Sequence, residues 1–463
     1  MQLIFVHGWS VTNTDTYGGL PQALSNNAKD FDLELDIQHI HLGRYISFHD
    51  EVTMDDIARA MDRALRDLPG NSDEYIAPFS CITHSTGGPV VRSWVDKFYG
   101  VTRLNSLPMV HLVMLAPANH GSALAVLGKA RVGRIKAWFN GIEPGQRVLD
   151  WLSLGSDGQW DLNHTWVDYD MGTTSFYPFV LTGQGIDHSL FDFLNSYLVE
   201  KGSDGVIRVA GANMNYRCFS LVQSWDDVIR KQPRTLRLVP DQDVRIPQPV
   251  ALGVYSQYSH SGKKMGIMRS IGPDDTGAPV VQDILKCLGV NSRETYRTMS
   301  DALTAETQTA QTGADRYCML VFNIRDDQGE TIARDDYDLF LLAGNQYQPQ
   351  KLPKGFFKDR QMNNTTGRLI LYLDADKMAE IKDGKFGIRV VARPSKGFSY
   401  YAAAEFQSEG IEIDQILAPN QTTYVDITLH RFVDKNVFRF GPVTGKPVSF
   451  KRVQPLGEPI QNS

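Results

Sequence analysis

What this chain lacks narrows it first. Only four of its 463 residues are cysteine (Cys81, Cys218, Cys287 and Cys318), and they have no metal-ligand spacing. That excludes a disulfide-stapled scaffold, and no metal site is expected. Basic charge is not in excess: 47 Lys and Arg stand against 53 Asp and Glu, for a net charge of −6. With no long basic run either, a general nucleic-acid-binding role is excluded. No apolar stretch approaches the ~18–20 residues of a membrane span. The start has no basic leader segment, and its apolar run, Leu3 to Val6, is too short for a secretory signal. These absences predict a chain made in the cytoplasm, which acts outside the cell only by an export route that needs no signal peptide. No internal repeat is visible.

What is present suits two to three folded domains. The hydrophobic content of 42% supports proper cores. Over residues 1–290, strand-like and helix-like runs alternate, the pattern of an α/β fold with a parallel sheet covered on both faces. Met54-Asp55-Asp56-Ile57-Ala58-Arg59-Ala60-Met61 opens an amphipathic helix, and 280–288 is the last helix of this part. Residues 291–314 are polar, rich in Thr, Ala and Gln, and are expected to be partly helical and partly linker. From 315 to 447 the pattern changes to short β-like runs, at 317–324, 337–342, 368–373, 387–391 and 424–429. Turn clusters such as Asp326-Asp327-Gln328-Gly329 separate them, which predicts an antiparallel β-sandwich. A tail follows at 448–463.

The chemistry is concentrated in a few short stretches. Thr83-His84-Ser85-Thr86-Gly87 lies between a strand-like run (75–83) and a helix-like run (88–98). A serine on such a corner is held exposed above the sheet, with the free N–H groups of a helix N-terminus beside it. The helix carries Val90, Val91, Trp94, Val95 and Phe98 on one face, and Pro89 sits in its first turn, where a missing N–H costs nothing. The second stretch is at the N-terminus, where the short strand Leu3-Ile4-Phe5-Val6 runs directly into His7-Gly8-Trp9-Ser10. A glycine just past a strand end lets the next N–H face a cavity. In acyl transfer two such N–H groups stabilise the oxyanion; here they are assigned to Trp9 and Thr86.

These residues, together with Leu115-Ala116-Pro117-Ala118-Asn119-His120-Gly121-Ser122, resemble the α/β-hydrolase superfamily and, within it, the bacterial lipases. The resemblance covers roughly the first 290 residues. Thr83 departs from it by standing where the family usually has glycine. The chain also starts directly at the oxyanion strand, so the two leading antiparallel strands of the full fold are expected to be missing.

The resemblance implies an acid and then a histidine after the serine. Ser203-Asp204-Gly205-Val206-Ile207 resembles the Asp-Gly-x-Val motif that carries the acid in lipases. Asp187, in Gly183-Gln184-Gly185-Ile186-Asp187, competes with it; Asp204 is preferred. Only two histidines follow Asp204, namely His260 and His430. His260 lies in a loop just past the strand-like run 250–255, where this fold places its base, whereas His430 lies in an alternating stretch of the C-terminal region. His260 is therefore the expected base. His84 is read as a packing or hydrogen-bonding neighbour of the elbow, and His120 as part of a turn. Some resembling lipases hold a structural calcium near the histidine, but Ser261 and Gly262 are not acidic, so neither metal nor cofactor is expected.

Residues 123–175 look like an insertion between strands. They contain Trp138, Trp151, Trp160 and Trp166, four of the seven tryptophans. Such a segment is either a lid with an apolar face for lipid or an ordinary helical cap with buried aromatics. Together these readings give an α/β-hydrolase-type parallel sheet with a helical lid insertion and a C-terminal antiparallel β-sandwich. The implied activity is a serine esterase of lipase or phospholipase type, acting on lipid at a membrane surface, with a protein partner conceivable through the C-terminal domain. An exported antibacterial lipase effector would account for a lipase with no signal peptide and an added sandwich. The alternatives are a carboxylesterase or thioesterase for small soluble esters, and a silent binding protein on a hydrolase scaffold.

Overall fold

The computed structural model describes residues 1–7, 16–47, 49–128, 145–186, 201–226, 235–381, 384–394, 398–408, 411 and 413–433. The first sheet is six-stranded: β1 (Gln2–His7), β2 (Asp36–His41), β3 (Phe79–His84), β4 (Met109–Leu115), β5 (Tyr177–Gly183) and β8 (Ala251–Tyr255), in the order β2-β1-β3-β4-β5-β8. Every pairing in it is parallel. Apart from the polar edge strand β2, its strands read as apolar runs because both faces are covered. On one face pack α2 (Met54–Arg66) and α3 (Gly87–Phe98), with Ile57, Met61, Val91 and Trp94 fully buried. On the other lie α1 (Leu20–Asn27), α8 (Pro279–Leu288) and α9 (Arg293–Ala310), which bury Leu24, Ile284 and Leu303. Helix α2 starts with a reciprocal cap between Thr53 and Asp56, places Asp55 and Asp56 in its first turn and ends on Arg63 and Arg66, so its charges oppose its dipole.

The second sheet has nine strands: β6 (Tyr216–Gln223), β7 (Thr235–Pro240), β9 (Tyr317–Asp326), β10 (Tyr337–Ala343), β11 (Phe357–Met362), β12 (Leu369–Asp374), β13 (Phe386–Ala392), β15 (Ala403–Gln407) and β16 (Thr422–Leu429), in the order β10-β13-β15-β7-β6-β16-β9-β12-β11. A separate two-stranded ribbon joins β14 (Ser399–Tyr400) to β17 (Phe432–Val433). Most pairings of the large sheet are antiparallel, but β15 with β7, β16 with β6 and β16 with β9 are parallel. These three pairs join strands distant in the chain, so no tight turn dictates their direction. Sheet membership also divides the chain differently from its sequence pattern. β6 and β7 precede residue 290 yet sit in the middle of the second sheet, whereas α9, in the stretch expected to be partly linker, packs on β8 of the first.

The insertion lies between the sheets. After α4 (Ala123–Gly128), its described part consists of α5 (Gln146–Leu152) and α6 (Asp157–Trp166). Trp166 is buried beside α3 and Trp160 is buried against Tyr424, Tyr216 and Met319 of the second sheet, while Trp151 is half-buried. This part is a cap wedged into an apolar seam; Trp138 lies outside the described residues. A short helix, α7 (Val209–Ala212), leads into β6. Among the described residues no helix is long and apolar enough to cross a membrane.

Candidate active site

Three loops at the C-terminal ends of β3, β5 and β8 converge with the turn before α7. Ser85 follows β3 with φ +55°, a left-handed conformation that costs a non-glycine residue of order 1 kcal/mol or more. The surroundings hold it there. Its N–H donates to the Leu115 carbonyl at 3.0 Å, and its own carbonyl accepts from Gly88 at 3.3 Å and Ala118 at 3.2 Å. The elbow also needs α3 pressed against the loop after β4: a Cβ on Gly88 would lie 2.7 Å from Cβ of Pro117. Thr83, which replaces the expected glycine, is fully buried beneath the turn, its Cβ 3.1 Å from where a Gly87 Cβ would stand.

His260 Nε2 lies 3.0 Å from Ser85 Oγ, and His260 Nδ1 lies 2.9 Å from Asp204 Oδ2. The three residues are nearly sealed from solvent, with Ser85 8%, His260 1% and Asp204 0% exposed. Asp204 Oδ1 accepts the backbone N–H groups of Val206 at 2.9 Å and Ile207 at 2.7 Å, so the carboxylate is satisfied on one oxygen and aimed at the imidazole by the other. The two loops are joined a second time by the His260 N–H, which donates to the Asp204 carbonyl at 2.9 Å. The His260 loop is fastened to the end of β5 through Gly185 N–H to the Tyr258 carbonyl, 2.8 Å.

Of the two expected oxyanion donors, Thr86 lies among the described residues. The Thr86 N–H directly follows Ser85 and makes no hydrogen bond among the described residues. Trp9 lies outside the described residues, as does Asp187, the competing acid. His430 is remote from Ser85, paired with Asp327 and Gln223.

Two other histidines have definite partners. The His84 Nε2 lies 2.9 Å from the His260 carbonyl, and the two rings are 4.7 Å apart. Burial first, then the nearby His260, push the His84 pKa down to about 3, so it is a neutral imidazole that donates Nε2–H to that carbonyl. His120 is more than a turn residue: buried and held neutral with a pKa of about 3, it contacts the Tyr424 hydroxyl at 2.8 Å and the Asn213 carbonyl at 2.7 Å.

Sequence reading passed over Arg92, which is fully buried on α3. Its guanidinium donates to Asn163 Oδ1 at 2.9 Å and lies over the Trp166 ring. A charge inside the apolar face Val90-Val91-Trp94-Val95 was the available signal. All four cysteines are free and buried, and burial raises the pKa of the Cys81 thiol well out of reactive range. No group of three or more His, Cys, Asp or Glu among the described residues could hold a metal ion.

No family model matches the chain, and no curated protein matches it. Among solved structures, the phospholipase PlaB from Legionella pneumophila is 44% identical with a TM-score of 0.84, over 97% of this chain and 98% of that one. A complex of PlaB with thio-NAD is 43% identical with the same TM-score and coverage. A lipase of Bacillus licheniformis, BlEst2 in mature form, is a far weaker likeness, with 18% identity, a TM-score of 0.35 and coverage of 46% of this chain and 78% of its own. With the PlaB likeness running essentially end to end at this identity, the chain belongs to the family of that phospholipase.

Proposed function

We propose that this protein hydrolyses carboxylic ester bonds of phospholipids through an acyl-enzyme on Ser85. The observation that carries the proposal is the buried relay Ser85 Oγ–His260 Nε2–His260 Nδ1–Asp204 Oδ2, with links of 3.0 and 2.9 Å, built on a left-handed serine. His260 takes the Ser85 proton as Oγ attacks the ester carbonyl. The resulting imidazolium is stabilised by Asp204, which also holds the Nδ1–H tautomer. The oxyanion accepts the Thr86 N–H and, in the role assigned to it from sequence, that of Trp9. Collapse of the tetrahedral adduct expels the alcohol, which leaves with the proton from His260 Nε2. Water then attacks the acyl-serine with His260 again as base, releasing the fatty acid and returning the proton to Ser85.

The phospholipid part of the proposal draws on the activity named for PlaB. The test compares phosphatidylglycerol vesicles with a short soluble ester such as p-nitrophenyl butyrate. Turnover on vesicles is expected to exceed that on the soluble ester and to fall by roughly 10⁴-fold or more in Ser85→Ala. Turnover confined to the soluble ester would leave a carboxylesterase and reject the lipid substrate. Equal turnover by wild type and Ser85→Ala would reject the nucleophile.

A further inference from the structure

We infer that the second sheet positions the acid of the relay, through a clamp made by Arg208, Asp359 and Tyr372; the inference rests on Asp204 acting as that acid. Asp204 sits in a tight turn. Its N–H donates to the Ile207 carbonyl, Ser203 bridges to Arg208, and the Val209 N–H donates to the Gly202 carbonyl. Arg208, at the end of this turn, sends its side chain onto the second sheet, against Asp359, Tyr372 and Met319. There its Nη2 lies 2.5 Å from Asp359 Oδ2, with the two side chains only 4% and 12% exposed. The guanidinium also stacks on the Tyr372 ring, 4.1 Å from its centre.

The second sheet is shaped for this contact. β11 has a bulge between Phe357 and Asp359, which brings Asp359 opposite Tyr372 on β12. Gln361 Nε2 donates to the same Asp359 oxygen at 2.8 Å, so the carboxylate is held on its own strand as well. The Tyr372 hydroxyl reaches the other end of the turn, donating to the carbonyls of Lys201 at 3.1 Å and Gly202 at 3.3 Å. Gly202, at φ +74°, lies so close to the aromatic pair that a Cβ there would stand 2.2 Å from the Tyr317 ring and 2.7 Å from the Tyr372 hydroxyl. From the hydrolase side the turn is held at Val206, whose carbonyl accepts from Ser122 Oγ at 2.9 Å. The acid's turn is thus gripped at both ends by strands 151 and 171 residues further along the chain. A shift of about 1 Å in a relay member is enough to cost about 10²-fold in rate. Arg208, Asp359 and Tyr372 touch neither substrate nor reacting atoms; they are positioning residues.

The experiment measures steady-state kinetics on vesicles for Asp359→Asn, alone and combined with Asp204→Asn. Asp359→Asn is expected to lower kcat about 10- to 100-fold with KM within about two-fold, and to add no further loss in the Asp204→Asn background, because both changes act through one carboxylate. Tyr372→Phe, which keeps the ring and removes only the hydroxyl, serves should Asp359→Asn fail to fold; its kcat is expected to fall about three- to ten-fold, again without further loss beside Asp204→Asn. An unchanged kcat in the folded variants, or the same fold loss with and without Asp204, would overturn the clamp. The far-downfield proton signal of the His260–Asp204 hydrogen bond, read by NMR of histidine-labelled protein, is expected to shift or vanish in Asp359→Asn. An unmoved signal would overturn the clamp even if the wild type turned over no ester, an outcome that by itself would count only against the proposed function.

Discussion

Ser85, His260 and Asp204 are brought together by different means. Ser85 is placed by its own backbone, forced to φ +55° by a strand that ends and a helix that begins around it. Asp204 is placed by the N–H groups of the two residues that bend back over it. His260 is placed by its backbone: its N–H is held by Asp204 and its carbonyl by His84. His84→Ala is therefore expected to lower kcat about ten-fold with little change in KM, the effect of losing about one net hydrogen bond that holds the base. The same variant reports on pH. A folded histidine with a pKa of about 3 takes up no proton where an unfolded one, at about 6.5, does. Stability linked to His84 is thus intact above pH 6.5 and erodes as pH falls toward 3. The melting temperature of His84→Ala should accordingly drop less than that of wild type on acidification over that range; an equal drop would refute a buried neutral His84. That Ser85, Asp204 and His260 were candidates to meet could be read in the sequence, because strand-end serines, Asp-Gly turns and loop histidines are local features. Arg92, Arg208 and Asp359 were not, because their meaning depends on partners brought in from other parts of the chain.

At the scale of elements, the helix that follows Ser85 is tied to a strand more than 300 residues away. Arg92 on α3 donates to Asn163 on α6, the Asn163 amide donates to the Tyr424 hydroxyl on β16 at 2.9 Å, and His120 contacts that same hydroxyl. All four side chains are buried, so the network has no water to fall back on. Tyr424→Phe removes the shared hydroxyl and leaves His120 Nδ1 unsatisfied, while the Asn163 amide keeps the Asn119 and Gln159 carbonyls, at a cost of about 1–3 kcal/mol. Chemical denaturation should show an unfolding free energy lower by that amount, as a lower midpoint with an unchanged m-value; a change under about 0.5 kcal/mol would mean that the hydroxyl contributes nothing to stability. The parallel sheet could be read from its alternating strands and helices, since local apolar runs mark strands buried on both faces. The mixed pairing of the second sheet could not. β6 and β7 carry the alternation of half-buried strands but no sign that their partners lie beyond residue 400.

At the scale of the whole molecule, the two sheets form an interlocked pair. The second sheet takes two strands from the stretch between Asp204 and His260, and the seam buries Trp160, Tyr216, Tyr317, Met319, Tyr372 and Tyr424. Trp160 and the cap it belongs to fill this seam, which gives the C-terminal half a place in the architecture of the site. The claim on which everything else depends is that Ser85 is the nucleophile of this assembly. The most direct measurement is reaction of the purified full chain with a fluorophosphonate, followed by peptide mapping of the adduct by mass spectrometry. A single adduct on Ser85, absent from Ser85→Ala and slowed at least about 100-fold in His260→Ala, is the expected result. An adduct on another residue, or labelling of Ser85→Ala at the wild-type rate, would contradict it.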